Sequence, residues 1–254
     1  MTPTRYFQTV RFKTYADLQA ERRRTYLGLL WWFAEPLMMM GVFYVIFGLG
    51  LRSGGPDFLP VLMVGLVLWQ WFRGTISHTT NSIHQNRALV RDVLLPVSLF
   101  PVVTLCTDAV KFSLVLMTLL VVLWLWGYTP TWTYLAFPLV LLAQLLLVLG
   151  ISLVVSAVVP FLPDLRFLID PLLLAVFFVS CVFHPISSLS PDVQPWIRLN
   201  PVAGLIDAAR DVLLRGVWPD FAYLGVVAAL GLLGTAAGVL LMRRLAHRYP
   251  KLPS

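Results

Sequence analysis

The sequence predicts an all-α integral membrane protein with six transmembrane helices. Of its 254 residues, 59% are hydrophobic and 12% are charged, which is about half the usual charged fraction of a soluble domain. Continuous apolar runs such as 139–159 show no alternation, so helices are predicted and not a transmembrane barrel. Six runs are long enough for a hydrocarbon core of roughly 30 Å: 32–51, 58–79, 100–126, 134–159, 167–184 and 221–242.

The distribution of Lys and Arg predicts the orientation of these helices. Thirteen of them fall on one side, in residues 1–31, in the loops near 80–99 and 160–170, and in the tail, whereas four fall on the other side. The positive-inside rule then places both termini in the cytosol and the protein in the plasma (inner) membrane. The net charge of +7 reflects this topology and attraction to anionic membrane lipid; it is no argument for a nucleic-acid partner.

We expect one transmembrane domain over residues 1–254, with five parts. Residues 1–31 form a cytosolic amphipathic segment that lies in the interface plane, or a solvated basic arm that only sets the topology. Residues 32–184 hold spans one to five, 185–220 an outer segment, 221–242 the sixth span and 243–254 a cytosolic tail. The first apolar run begins too late for a cleavable signal peptide.

Three features inside this scheme bear on its boundaries. The polar stretch 75–86 is expected to continue the second helix into the cytosol. Cys106 and Cys181 are expected inside spans as small apolar residues, so no disulfide framework is predicted. Gly231, Gly234 and Gly238 line one side of the sixth span and permit a close helix contact, either within the bundle or between subunits.

The outer segment 185–220 is neither a span nor an ordinary loop. Four prolines interrupt it, and residues 202–214 place apolar side chains at helical spacing. Non-helical backbone at membrane depth persists only where it is buried in protein or lines a watery cavity. We therefore predict two short helices that dip back toward the bilayer as a lid or exit gate; a cap that merely packs on the bundle is the alternative.

Several polar and aromatic residues lie within the predicted spans. Asp108 and Lys111 stand three residues apart and are expected to form an intramembrane charge pair or to contact a neighbouring span. Arg73 faces either an aqueous path or the cytosolic interface. Trp69 and Trp71 lie near mid-span, where they either pack in the bundle or stack on sugar rings in a polar path.

Catalytic motifs are missing from the sequence. It contains no phosphate-binding loop, no His-Glu-x-x-His, no Cys-x-x-Cys and no nucleophile elbow, and its four histidines are scattered. We expect no metal, no bound cofactor and no enzymatic activity. If the chain takes part in ATP-driven transport, the energy must come from another polypeptide. Two alternatives remain open: a channel subunit, and a membrane-embedded lipid-carrier enzyme that uses Asp207, Asp211 and Asp220.

Three segments resemble a known family. These are 24–36, read as RTYLGLLWWFAEP; 86–96, read as NRALVRDVLLP; and Leu199-Asn200-Pro201 followed by Asp207 and Arg210. Over nearly the whole chain the sequence resembles the membrane-spanning permease of type-2 ABC transporters, in the branch that exports O-antigen, capsule or teichoic acid. An exporter of a drug or a lipid is the closest alternative within that family.

The resemblance implies a partner set and a set of functional residues. The partners would be a second copy of the chain, two ABC ATPase subunits that use ATP and Mg²⁺, and a lipid-linked glycan exported through a channel at the homodimer interface. The ATPase-coupling segment would contain Asn86, Arg87, Leu89, Val90, Arg91 and Asp92. Substrate would approach Arg22, Arg23, Arg24 and Tyr26. Trp32, Phe43, Tyr44, Trp69, Phe177 and Phe178 would line the channel. His184, Pro185, Asn200, Pro201, Asp207 and Arg210 would form the gate.

Overall fold

The computed structural model describes residues 2–24, 57–86 and 96–249, together with isolated positions at 30–45 and 89. The described residues fold into helices joined by turns, without strands. In chain order we number the α-helices α1 Pro3–Arg24, α2 Phe58–Gln85, α3 Leu99–Leu125, α4 Phe137–Val158, α5 Leu165–Val179, α6 Gln194–Arg198, α7 Pro201–Arg210 and α8 Phe221–Leu245. A 3₁₀ turn, Trp132–Ala136, leads into α4, and a π-helical turn, Asp211–Arg215, follows α7.

Four helices of the described residues are long and apolar enough to cross a membrane: α2, α3, α4 with its preceding 3₁₀ turn, and α8. They correspond to the second, third, fourth and sixth predicted spans, so these predictions are confirmed. The first predicted span, 32–51, lies outside the described residues apart from isolated positions.

The fifth predicted span, 167–184, is wrong at its C-terminal end. Its helix α5 has 15 residues and stops at Val179. Cys181, expected inside this span, instead lies in a turn with a left-handed φ of 50°. Residues 180–184 are therefore non-helical, although three of the five, Cys181, Val182 and Phe183, are apolar.

Two hydrophobic clusters define the two ends of the bundle. The first fills the interior between α2, α3, α4 and α7. The second joins α1 to the near ends of α2, α3, α4 and α8, with Val10, Phe100 and Tyr249 among its buried members. We call this second end the α1 end. The opposite end carries residues 57–62, 126–136 and 180–220, which hydrogen bonds and close packing tie together, and we call it the α7 end.

Helices α4 and α8 form the most extensive helix pair. A Cβ added to Gly150 would lie 2.5 Å from the carbonyl oxygen of Gly231, and one added to Gly231 would overlap the backbone of Leu146. The glycine stripe of the sixth span therefore packs within the bundle, which decides between the two alternatives that the sequence left open.

The polar end of α2 remains helical to Gln85, as predicted. Within this stretch Thr75, Thr79, Thr80 and Ser82 are buried, whereas His84 and Gln85 are exposed. The hydroxyl groups of Thr79, Thr80 and Ser82 donate to carbonyl oxygens three or four residues earlier in α2. This local bonding allows hydroxyl side chains to be buried between helices.

Candidate functional site

Helices α2 and α5 lie side by side with a cavity of about 340 Å³ between them. Its apolar wall is formed mainly by aromatic and aliphatic side chains, and its polar groups are an amide, a guanidinium and a carboxylate. The lining residues are Leu66, Trp69, Gln70, Arg73, Asp170, Pro171, Leu174 and Phe177. An aromatic wall with hydrogen-bonding and charged groups at its edge is suited to a polar ligand that also has a flat apolar face.

An aromatic cluster continues from this wall toward the α7 end. The ring of Phe177 lies 5.3 Å from that of Trp69 and 5.0 Å from that of Phe183, measured between centroids. Phe178 packs beside Phe177 and is 66% exposed. We call Trp69, Phe177, Phe178 and Phe183 the aromatic cluster. Trp71 lies outside it, because it stacks on Phe112 in the core at 4.2 Å.

Polar contacts at the α1 end hold neighbouring helices together. The hydroxyl of Ser77 on α2 donates to the exposed carboxylate of Asp170 on α5 at 2.9 Å. The Lys111 ammonium lies 3.6 Å from Asp108 on its own helix and 2.5 Å from Glu21 on α1. The carboxylate of Asp108 also lies 2.9 Å from Nδ1 of His78. The charge pair expected between Asp108 and Lys111 is thus part of a network that joins α1, α2 and α3.

Arg210, the last residue of α7, is completely buried. On α2, the carbonyl oxygen of Val61 accepts from Nε at 3.1 Å and from Nη2 at 3.0 Å. In the 180–184 turn, Nη2 donates to Val182 O at 2.6 Å, and Nη1 donates to Cys181 O at 2.8 Å and to His184 O at 3.0 Å. These five bonds equal the number of N–H groups on a guanidinium.

Asn200 begins α7 and links it to the end of α5. Its side-chain oxygen accepts from the N–H of Val202 at 3.0 Å, and its amide nitrogen donates to Ser180 Oγ at 2.9 Å. Pro201 is the first helical residue, where a missing N–H costs nothing. The hydroxyl of Tyr223 on α8 lies 3.2 Å from the carbonyl oxygen of Asn200. The start of α7 is therefore held from two sides.

The carboxylates considered for an enzymatic site have structural partners. Asp207 and Asp211 both lie within ion-pair distance of Arg215, and Asp220 accepts from the N–H of Tyr223 at the start of α8. Burial is the main cause that raises the pKa of Asp211. Within residues 2–24, 57–86 and 96–249, no three His, Cys, Asp or Glu side chains are grouped as a metal site would need.

The predicted site residues divide by location. Trp69 and Phe177 line the cavity, Phe178 lies beside it, and the six gate candidates lie at the α7 end, where Asn200 and Arg210 bond to the 180–184 turn. Arg22 and Arg23 are exposed near the C-terminal end of α1, next to Glu21, which pairs with Lys111 on α3. Asn86 ends α2. The side chains of Arg24, Tyr26, Trp32, Phe43, Tyr44, Arg87, Val90, Arg91 and Asp92 lie outside the described residues, and Leu89 is exposed.

Four residues of the site were missed by sequence reasoning. Gln70, Asp170 and Phe183 join the cavity or its aromatic cluster, and Gly65 makes room for Arg210. The helical spacing of Leu66, Trp69, Gln70 and Arg73 was an available signal, because i, i+3, i+4 and i+7 share one helix face. No comparable signal exists for Gly65, since its role depends on a residue 145 positions later in the chain.

Comparison with known proteins gives a family match and several relatives. Residues 10–214 match the family described as ABC-2 type transporter. The chain is 26% identical to an O-antigen export system permease protein of Klebsiella pneumoniae, over 94% of this chain and 92% of that protein. It is 29% identical to a protein of the same description from Myxococcus xanthus, over 90% of this chain and 89% of that protein. It is 26% identical to a polysialic acid transport protein of Escherichia coli, over 85% of each.

Proposed function

The chain belongs to the ABC-2 type transporter family, and on that premise we propose that it is the permease subunit of an ATP-driven polysaccharide exporter. Its substrate would be a lipid-linked glycan of the O-antigen or capsule type. The observation that carries this proposal is the similarity to export permeases over about nine-tenths of both chains. A similarity of that extent covers the membrane helices and the segments between them, rather than one shared motif.

In this proposal two copies of the chain form a conduit, and two separate ATPase subunits drive it with ATP and Mg²⁺. Each copy contributes six membrane segments: the four long helices, the shorter α5, and one formed by residues 32–51. The basic residues of α1, the 160–170 turn and the last turn of α8 support a cytosolic location for the α1 end. The α7 end would then face the outer side and carry the gate.

The cavity between α2 and α5 is the proposed path for the glycan. Trp69 and Phe177 line this cavity but are only 4% and 7% exposed, so a sugar ring would stack on them only after α5 moved away from α2, while Gln70 and Arg73 offer hydrogen-bond donors. Stacking is tolerant of sugar identity, because it depends on ring faces rather than on one pattern of hydroxyl groups. A polymer could therefore move along such a wall without being held at one position.

Substrate access and ATPase coupling are both assigned to the α1 end. Arg22 and Arg23 are exposed on α1 and could bind the pyrophosphate of a lipid carrier. Phe7, Phe12 and Tyr15 of α1 are also more than 60% exposed, as suits a helix lying among lipid headgroups. Residues 86–96, which follow α2 at the same end, would dock on the ATPase and transmit its closure.

The proposal is tested by purifying the tagged chain from its native cells and by following surface polysaccharide in the same cells. We expect an ATPase with a phosphate-binding loop to co-purify stoichiometrically, and we expect glycan to accumulate inside cells that lack the chain. Replacing both Arg87 and Arg91 with Glu should reduce ATPase recovery and export, because charge reversal opposes docking. Arg198→Glu is the matched control, since this exposed arginine lies at the α7 end.

A chain that purifies without an ATPase, from cells whose surface glycan is unchanged by its deletion, would contradict the proposal. Equal losses in the Arg87/Arg91 variant and the Arg198 control would leave the permease function standing but remove the assignment of residues 86–96 to coupling.

A further inference from the structure

We propose that Arg210 is a positioning residue that replaces the missing last turn of α5 and thereby sets the position of the aromatic cluster. The inference rests on the proposed function, because the cavity beside this cluster is taken as the path of the glycan. What it adds is a physical link between the gate segment, which carries Arg210, and the wall of the path.

The first step is the length of α5. Its 15 residues span roughly 22 Å at 1.5 Å per residue, which is shorter than a hydrocarbon core of roughly 30 Å. The 180–184 backbone that follows it is therefore at or near membrane depth without a helix to satisfy its carbonyl groups. Backbone groups in such a position need partners from the protein. Arg210 supplies them to residues 181, 182 and 184.

The second step is the chemistry of the group that supplies these bonds. Its partners are carbonyl oxygens only, and no ion pair of Arg210 with a carboxylate occurs in the described parts of the chain. The C-terminal end of a helix carries partial negative charge, so a cation placed there is stabilised. A lysine would bring the same charge but only three N–H groups at one point, and could not reach acceptors on α2 and on the turn together.

The third step is the space that α2 leaves for this side chain. A Cβ on Gly65 would lie 2.6 Å from Nη2 of Arg210 and 2.5 Å from the carbonyl oxygen of Val182. Both distances are too short for a real Cβ, so even alanine at position 65 would push the guanidinium or the turn away from α2. The position of the Arg210 side chain on α7 thus depends on the absence of a side chain at Gly65 on α2.

The last step leads from the turn to the cavity. Phe183 lies between two residues whose carbonyl groups are bound by Arg210, Val182 and His184. Its ring packs edge-on against Phe177, which in turn contacts Trp69 on the cavity wall. If the turn moves, Phe183 moves with it and the wall of the path changes shape. Arg210 itself does not line the cavity, and we assign it no contact with substrate.

The test uses the native Cys181, which is 3% exposed and whose carbonyl oxygen accepts from Arg210. In a Cys106→Ala background it is the only cysteine of the chain. Cells that contain the whole transporter are treated from outside with a membrane-impermeant maleimide, and polysaccharide export is measured in the same cells. For Arg210→Lys and for Gly65→Ala we expect normal recovery of the ATPase complex, labelling of Cys181 faster by roughly tenfold, and export slower by roughly tenfold.

Arg215→Lys is the matched control, because it makes the same substitution five residues later in an exposed side chain that pairs with Asp211. It should leave both labelling and export unchanged. Wild-type labelling and export in either the Arg210 or the Gly65 variant, with the complex intact, would overturn the proposal. Faster labelling with normal export would overturn the link to the aromatic cluster.

Loss of the folded complex in both variants would mean that Arg210 acts in folding alone, and would also overturn the proposal. If the complex is lost only in the Arg210 variant, the labelling and export rates of the Gly65 variant decide whether the proposal holds. Normal surface glycan in cells that lack the chain would instead refute the proposed function, and the labelling rates would still test the contact between Arg210 and the 180–184 turn.

Discussion

Two helix pairs of this protein are built in opposite ways. Helices α4 and α8 meet through glycines, with the backbone of Gly150 against that of Gly231 and no side chain between them. Helices α2 and α5 instead enclose a cavity and are joined at the α1 end by one hydrogen bond from Ser77 to Asp170, and at the α7 end through Arg210. The first pair excludes any ligand, whereas the second leaves room for one.

The difference shows how a membrane bundle can combine a fixed part with an adjustable part. In lipid, helices gain no hydrophobic free energy from meeting each other, so close backbone packing and hydrogen bonds hold them together. At the interface between α4 and α8 the glycines have no side chains that could rearrange, so this interface resists displacement of one helix against the other. Contacts made by a few polar groups at helix ends can be broken singly, so α5 is the helix whose position could change during transport.

The largest effect is expected from Gly231→Leu, which places a large side chain where the backbone of Leu146 already lies. We expect it to destabilise the chain by about 3 kcal/mol or more, because neither backbone can move without separating α4 from α8. The midpoint of thermal unfolding of the detergent-purified protein measures this. Gly225→Ala on the same helix is the control: its Cβ would meet nothing within 4 Å, and a gain of up to about 1 kcal/mol is expected. Equal midpoints for the two variants would contradict the packing argument.

An intermediate effect is expected from Lys111→Met, which removes the ammonium shared by Glu21 and Asp108. The Asp108 side chain is 9% exposed, and it would keep His78 as its remaining polar partner in this network. We expect a loss of about 1–2 kcal/mol and faster amide hydrogen exchange throughout α1, since that helix would lose its ion pair with α3. Lys13→Met is the control, because Lys13 pairs with Asp17 inside α1. Exchange that is unchanged by the first substitution would show that α1 is held by its apolar contacts alone.

The smallest effect on stability is expected from Ser77→Ala, which removes the hydrogen bond to Asp170. The bond is exposed, so we expect a loss below about 1 kcal/mol. Export should nevertheless change by about twofold or more, because this bond is the polar contact between α2 and α5 at the α1 end. Ser113→Ala is the control, as the Ser113 hydroxyl bonds only within its own helix. An export rate equal to that of the control would indicate that α5 does not move at this end.

Hydropathy alone was sufficient to predict the long helices, but it did not predict where α5 ends. Helices α2, α3, α4 and α8 each contain a stretch that is long and apolar enough to cross a membrane, so their approximate positions follow from the sequence without knowledge of neighbours. Residues 180–184 include the apolar run Cys181-Val182-Phe183, yet the carbonyl groups of residues 181, 182 and 184 are satisfied by Arg210 instead of by a further helical turn. The donor lies 26 to 29 positions away in the chain, and hydropathy carries no information about such a partner.

The candidate site, like the fold, was predictable only in part. Trp69, Phe177 and Arg210 were recognised from residue type, position in a span and resemblance to a family. Asp170 and Gly65 were not, because a carboxylate near a predicted span end and a glycine within a span have many ordinary explanations. Their roles depend on Ser77 and Arg210, which belong to other helices.

The sequence by itself determined that this protein lies in a membrane as a helical bundle, and it indicated the family. Those properties depend on composition, on apolar run length and on local motifs, all of which can be read along the chain. Only the tertiary structure decided that the glycines of α8 pack on α4, that α5 ends at Val179, and that Arg210 closes the end of α5 against α2. Each of these depends on atoms brought together from distant parts of the chain, where packing and hydrogen-bond geometry set the outcome.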